Sequence, residues 1–141
     1  MKTLEWVKEN LNNMETLDSR LGRRLCEFIP KEEMKKLGYV FEENETYPET
    51  IKPWTEENVL AQLREDLEFG IEKATHHRGI SASLMWEVCM GWCMILENGL
   101  DEYYKDEYGW YGDELFKAID QKYHFGLVDE DTFDKEFYER W

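Results

Sequence analysis

The stretch ISASLMWEVCMGWCMIL, residues 80–96, decides the fold of this chain. Glu87 is its only charged residue, although 35% of the whole chain is charged. A helix that is apolar on all sides lies either in a protein core or in a membrane. A membrane span needs about 20 apolar residues and tolerates a carboxylate at its centre poorly. The stretch therefore predicts a buried central helix, about residues 80–97, in a mainly α helical bundle.

The composition is that of a folded domain rather than of a disordered chain. The 141 residues are 42% hydrophobic and 15% aromatic, which is enough to enclose one core. We predict a single domain, residues 1–141, with N-terminal helices and a loop (1–53), a helical hairpin (55–99) and an acidic aromatic segment with C-terminal helices (100–141). The odd number of cysteines and an N-terminus without a signal-peptide pattern predict a cytoplasmic protein.

Cap and turn residues divide the N-terminal part into short helices. Thr3 is placed to cap a first helix. A second stretch carries Leu17, Leu21, Leu25 and Phe28. Pro30 then suits the first turn of a further short helix through Leu37, and Gly38 suits its left-handed end. Pro48 and Pro53 exclude a helix interior nearby, so residues 39–54 are predicted to be extended or looped, with one short hairpin near residues 39–52 left open as an alternative.

A cluster of three arginines, Arg20, Arg23 and Arg24, is the only basic cluster in the sequence. It predicts a solvated helix face that pairs with Asp18 and Glu27. A phosphate site is the alternative.

Residues 55–99 predict two helices joined by a tight turn. Thr55 precedes a strongly amphipathic helix of about residues 55–75 as its N-cap. Ser81 or Ser83 is expected to cap the central helix after the turn. The apolar positions of the first helix fall on one face: Val59, Leu60, Leu63, Leu67, Ile71 and Ala74.

The C-terminal part predicts two further helices. One carries Leu115 and Ile119 and ends before His124. The last is expected to begin at Asp129, with Val128 and Phe133 packed across its cap as a hydrophobic staple.

Charge is concentrated at the C-terminal end. The chain has a formal net charge of −15, and residues 101–141 contribute 5 basic and 13 acidic groups, net −8. A field of this sign repels nucleic acid and anionic membranes and attracts basic proteins. We therefore expect a protein partner, and no direct contact with nucleic acid or membrane.

Catalysis has little support in the residue pattern. Phosphate-binding glycine loops, nucleophile elbows and metal-ligand motifs are absent from the sequence, so no catalytic residue, metal or cofactor is predicted. Cys93 and His124 are a candidate pair, but the apolar surroundings of Cys93 predict an inert thiol. Glu87 is expected to pair with an arginine or a tyrosine hydroxyl, or to face solvent or a partner, with a catalytic acid as the remaining alternative.

The turn at His76, His77 and Arg78 has three interpretations. A structural turn is the simplest, since adjacent side chains on a turn diverge. Secondary contact with a partner and acid–base chemistry are the alternatives.

The stretch DEYYKDEYGWYGDE, residues 101–114, holds six carboxylates and five aromatic residues. Tyrosine and tryptophan anchor interfaces, and carboxylates around them steer a basic partner. The alternative is a loop whose aromatic side chains fold back onto the core. The predicted partner-binding residues come from this stretch and from the last helix: Asp101, Glu102, Tyr103, Tyr104, Asp106, Glu107, Tyr108, Trp110, Asp129, Asp131, Asp134 and Glu136.

Three segments between Trp54 and Gly126 carry a family resemblance: the 55–75 helix, HHRGISAS at 76–83 with the tryptophan-rich helix after it, and YGWYGDELFKAID at 108–120. Over this half of the chain the sequence resembles small acidic proteins of unassigned function that bacteriophages encode. The resemblance implies a protein in the host cytoplasm that blocks a host defence, as anti-CRISPR and anti-restriction proteins do, in some cases by imitating the charge of DNA.

Three functions from different classes are therefore expected. The first is a non-enzymatic acidic binder that occupies the basic surface of a nucleic-acid-handling protein. The second is a homo-oligomeric or subunit-type protein, such as a homodimer, whose surplus aromatic residues are buried between copies. The third is an enzyme or small-molecule binder that uses the turn at residues 76–78.

Overall fold

The computed structural model describes residues 1–10, 19–41, 43–76, 79–97 and 112–133. These ranges contain no β-strand, so the predicted mainly α class is confirmed for them. Their helices are α1 (Leu4–Asn10), α2 (Ser19–Leu25), α3 (Lys31–Lys36), α4 (Glu56–Thr75), α5 (Gly79–Leu96) and α6 (Gly112–Tyr123).

The helical hairpin of α4 and α5 is the centre of the fold. The apolar face of α4 is buried as predicted, with Leu60 half-buried at its margin. α5 packs against α4, α2 and α6, and Trp92 lies fully buried between them. All six helices contribute side chains to one hydrophobic core. Among the described residues no helix is both long and apolar enough to cross a membrane.

The central helix departs from the prediction at its beginning. It is already helical at Gly79, so Ser81 and Ser83 lie inside α5 and neither caps it. The first turn of α5 extends beyond the core, and Ile80 in this turn is therefore 82% exposed. The prediction of a helix buried on every side therefore applies to the portion from Met85 to Leu96, whose residues are buried or half-buried.

The helix ends predicted at Thr3, Thr55 and Gly38 are formed. The Thr3 hydroxyl accepts a hydrogen bond from the Trp6 amide (3.1 Å), and the Thr55 hydroxyl accepts one from the Asn58 amide (3.2 Å). At the end of α3, Gly38 has φ +91°, and the next amide reaches back to the Met34 carbonyl. This is the six-to-one hydrogen bond that a left-handed glycine makes at a helix end.

The hairpin that the sequence left open near residues 39–52 is not formed. Residues 39–41 and 43–52 contain turns and irregular backbone. The loop is held by contacts to the helical part instead: the Lys52 amide donates to the Glu27 carbonyl (2.8 Å), and the Tyr47 hydroxyl donates to the Ile29 carbonyl. Proline also removes the amide donor at Pro48 that a strand ladder would use.

The predicted helix start at Asp129 is also wrong. Residues 129–133 form a turn in which the Asp129 carboxylate accepts hydrogen bonds from the Asp131 amide (3.0 Å) and the Thr132 hydroxyl (2.9 Å). Such side-chain bonds to local backbone compete with helix formation. The preceding segment is anchored by the buried Asp120, which accepts from the amides of Leu127 and Val128, each at 3.0 Å.

Gly70 allows α6 to approach α4 closely. A Cβ atom at this position would lie 2.8 Å from Cζ and 2.9 Å from Cε1 of Phe116, and 3.2 Å from Cβ of Met85. Phe116 is fully buried, so its ring has little room to move. The glycine in α4 is therefore explained by packing, although glycine weakens a helix interior.

We predict that Gly70→Ala destabilises the protein by about 1–3 kcal/mol, because overpacking exceeds the gain in helix propensity. Urea unfolding measures the change. The same substitution in a Phe116→Leu background is expected to cost less, since the shorter side chain removes the clash. A Gly70→Ala variant that is more stable than the wild type would contradict this account of the contact.

Candidate binding surfaces and the buried polar cluster

The basic cluster on α2 is paired differently from the sequence-based expectation. Arg24 Nε lies 2.8 Å from Asp66 of α4, and Arg23 Nε lies 3.5 Å from Glu45 in the loop after α3. Glu27 has Lys52 as a partner, at 3.7 Å. The carboxylates beside Arg23 and Arg24 therefore come from distant segments of the chain, and the predicted partner Glu27 lies beside Lys52. Asp18 lies outside the described residues.

Asp66 connects three helices through one buried carboxylate. It is 2% exposed, and besides Arg24 of α2 it accepts a hydrogen bond from the Trp92 indole of α5 at 2.8 Å. Gln62, one turn earlier on α4, donates a longer bond at 3.4 Å. Burial raises the Asp66 pKa above its ordinary value, and the Arg24 charge and the hydrogen bonds oppose that rise.

A cavity of about 420 Å³ lies beside α2, on the side of the loop after α3. Its wall includes Arg23, Arg24, Cys26, Glu27 and Glu45. This cavity was not predicted from the sequence. The adjacent arginines were the signal available in the sequence, but their position over a cavity depends on the fold of residues 44–48 against α2.

The outer face of α4 carries a row of carboxylates. Glu65, Glu68 and Glu72 are exposed and lie at three- and four-residue spacing, so they share one helix face. With a rise of about 1.5 Å per residue, they span about 10 Å along the helix axis. His76, also exposed, continues this face at the C-cap of α4.

The predicted partner-binding residues are only partly described. Asp129 and Asp131 are exposed in the turn after α6, and the Asp129 carboxylate accepts a hydrogen bond from the Asp131 amide. His77 and Arg78 lie outside the described residues, so the interpretation of the 76–78 turn stays a prediction. The remaining predicted contacts also lie outside them: Asp101, Glu102, Tyr103, Tyr104, Asp106, Glu107, Tyr108, Trp110, Asp134 and Glu136.

The three cysteines are free and buried. Burial raises the pKa of Cys26 and Cys89, and that of Cys93 to about 12. These thiols are therefore protonated near neutral pH, and a protonated thiol is a poor nucleophile. His124, which the sequence offered as a candidate partner of Cys93, is exposed directly after α6 with φ +57°.

Glu87 is half-buried on α5 and makes polar contact within the protein. The described part of the chain contains no group of three or more histidine, cysteine, aspartate or glutamate residues placed to hold a metal ion. Comparison of the chain with protein-family models, curated protein sequences and solved structures gives no match. The resemblance to phage proteins therefore stays a prediction.

We predict that Asp66→Ala costs roughly 3–5 kcal/mol of unfolding free energy, because it leaves the Arg24 charge and the Trp92 indole N–H without their buried acceptor. Urea unfolding followed by tryptophan fluorescence measures the loss. Glu65→Ala is the matched control: it removes an exposed carboxylate from the next position of α4 and is expected to change stability by at most about 0.5 kcal/mol. Equal effects of the two substitutions would contradict the role of Asp66.

Proposed function

We propose that this protein is a non-enzymatic binder whose acidic surface occupies the basic, nucleic-acid-binding surface of another protein. The observation that carries the proposal is the row of exposed carboxylates on α4, Glu65, Glu68 and Glu72, in a chain of net charge −15. A phage inhibitor of a host defence, of the anti-CRISPR or anti-restriction type, would act in this way.

Electrostatics explains how such a surface would inhibit. Duplex DNA presents one negative charge per about 1.7 Å of axis, and proteins that bind it offer rows of lysine and arginine. A rigid helix with carboxylates along one face presents charge of the same sign in a row. It would steer a basic partner towards it from a distance and then exclude the nucleic acid from the shared site.

Apolar contacts would add the affinity that exposed charges alone do not supply. Phe69 is 42% exposed beside the carboxylate row, with Lys73 Nζ 4.8 Å from its ring centre. The aromatic residues between 101 and 110 are the further anchors in this proposal, together with the acidic turn at Asp129 and Asp131. Tyrosine, tryptophan and phenylalanine are the residues enriched at interface cores.

The state of the cysteines also favours binding over covalent catalysis. Each thiol is buried and has a raised pKa, so none is activated as a nucleophile near neutral pH.

A homo-oligomer is the second candidate, and two exposed apolar side chains favour it. Val40 is 85% exposed in the loop after α3, and Ile80 is 82% exposed at the start of α5. Light scattering of the purified chain distinguishes the candidates: a stable dimer at low micromolar concentration supports the second, and a monomer supports the first.

Capture of partners from a bacterial lysate tests the first candidate. The immobilised chain is expected to retain a basic nucleic-acid-binding protein at low salt and to release it at high salt, because screening weakens contacts between exposed charges. In a purified system, the chain should then compete with duplex DNA for that partner.

Charge reversal tests whether α4 supplies the contact. We predict that Glu65→Lys/Glu68→Lys/Glu72→Lys weakens binding to the captured partner at least about tenfold, equivalent to about 1.4 kcal/mol, and reduces its salt dependence. The control reverses three exposed glutamates elsewhere, Glu5, Glu32 and Glu49, and changes net charge equally. Equal loss in both variants would show that overall charge matters and the α4 face does not. Unchanged affinity in both would contradict the proposal.

The predicted segment after α5 is tested separately. Reversal of Asp101, Glu102, Asp106 and Glu107 should weaken the same complex and reduce its salt dependence. If neither changes, this segment is not part of the binding surface.

A further inference from the structure

A short segment of the loop after α3 covers the cavity beside α2. This strap consists of residues 44–48, all of which line the cavity. The opposite wall comes from α2 and the turn that follows it, and it includes Cys26. The cavity volume of about 420 Å³ greatly exceeds the share of about 30 Å³ that one water molecule occupies in the liquid. The strap therefore spans open space instead of packing along its whole length.

The chain is fixed on both sides of the strap. Before it, the Tyr39 amide donates to the Met34 carbonyl at 3.1 Å, at the end of α3. After it, the Lys52 amide donates to the Glu27 carbonyl at 2.8 Å. These backbone contacts hold the two ends of the loop against the helical part, so the strap between them can move without displacing a helix.

Glu45 ties the middle of the strap to α2. Its side chain is only 10% exposed and lies 3.5 Å from Arg23 Nε. It also accepts a hydrogen bond from the Tyr39 hydroxyl at 2.9 Å. The residues on either side of it, Asn44 and Thr46, are exposed. A carboxylate held by a cation and a hydroxyl is a charge-assisted contact, which is stronger than a neutral hydrogen bond.

The strap also covers a thiol. Cys26 is 6% exposed, and the side chain of Tyr47 lies against its sulfur. The Tyr47 hydroxyl donates to the Ile29 carbonyl, which closes the strap over this part of the cavity. Cys89 and Cys93 are buried differently, because both lie fully inside the packed helix α5. Cys26 is therefore shielded by a loop segment and the other two thiols by the core.

We propose that residues 44–48 form a gate over the cavity beside α2, with Glu45 as its latch. When the gate opens, Cys26 and the cavity wall become accessible while the helical core stays folded. Proteins open locally where few buried contacts hold a segment, at a lower free energy than global unfolding. This gate is separate from the acidic surface of α4 and does not depend on the function proposed for that surface.

Alkylation of the folded full chain by iodoacetamide tests the gate. The thiolate sulfur displaces iodide from the reagent and forms a thioether, and the thiol proton passes to the buffer. Mass spectrometry of peptides from quenched samples gives the rate at each cysteine. Cys26 is expected to react at least about tenfold faster than Cys89 and Cys93, because it needs only local opening. All three should react at similar rates in concentrated urea.

Two substitutions at the latch test its role. Glu45→Ala should accelerate alkylation of Cys26 about tenfold, since loss of a charge-assisted hydrogen bond shifts the opening equilibrium by about that factor. The rates at Cys89 and Cys93 should stay unchanged. Glu45→Gln keeps an acceptor for the Tyr39 hydroxyl, so an intermediate rate is expected. Glu49→Ala is the matched control: it removes an exposed glutamate from the same loop, just beyond the strap, and should react as the wild type does.

Three results would overturn the proposal. One is a wild-type chain in which Cys26 reacts as slowly as Cys89 and Cys93. Another is an unchanged rate at Cys26 in both Glu45 variants. The third is acceleration at all three cysteines together, which would show that Glu45 stabilises the whole fold and is not the latch of a local gate.

Discussion

The buried carboxylate of Asp66 is the contact on which the arrangement of the helices depends. It lies on α4 and binds Arg24 of α2 and Trp92 of α5, each at 2.8 Å. A buried carboxylate is costly unless its lone pairs are satisfied, so only packings that bring both donors to it are stable. Hydrophobic burial alone is non-directional. The polar contacts therefore select one rotation of α4 among the arrangements that would bury its apolar face.

That rotation also decides what α4 presents to solvent. When Asp66 points into the core, Glu65, Glu68 and Glu72 point outwards. The three glutamates share one face because residues three and four apart lie on the same side of a helix. The same contact orients Arg24 at the cavity beside α2. The acidic face and the cavity are thus separate surfaces that depend on one interior contact, and a change at Asp66 is expected to disturb both.

Local signals in the sequence predicted the helices well where caps and periodicity agreed. Thr55 caps α4, and Gly38 ends α3 in the left-handed conformation, as the residue types indicate. The prediction was wrong at Ser81 and Ser83, since serine also occurs inside helices. It was wrong again at Asp129, where the side chain stabilises a turn by hydrogen bonds to the local chain. Serine and aspartate occur both at the beginning of helices and elsewhere in the chain, and packing against neighbouring segments decides which of the two structures forms.

What the sequence by itself determined is the helical class, the apolar stretch from 80 to 96 as a central element, and the excess of negative charge. These three features can be predicted from composition and periodicity, which depend only on residues close together in the sequence. Only the tertiary structure decided the partners of Arg23 and Arg24 and the formation of the cavity beside α2. It also decided that Asp66 is buried while charged residues next to it in the sequence are exposed. Each joins residues from separate segments, up to 42 positions apart for Arg24 and Asp66. A pattern within one helix contains no information about which distant carboxylate its arginine will meet, because that depends on how the segments pack.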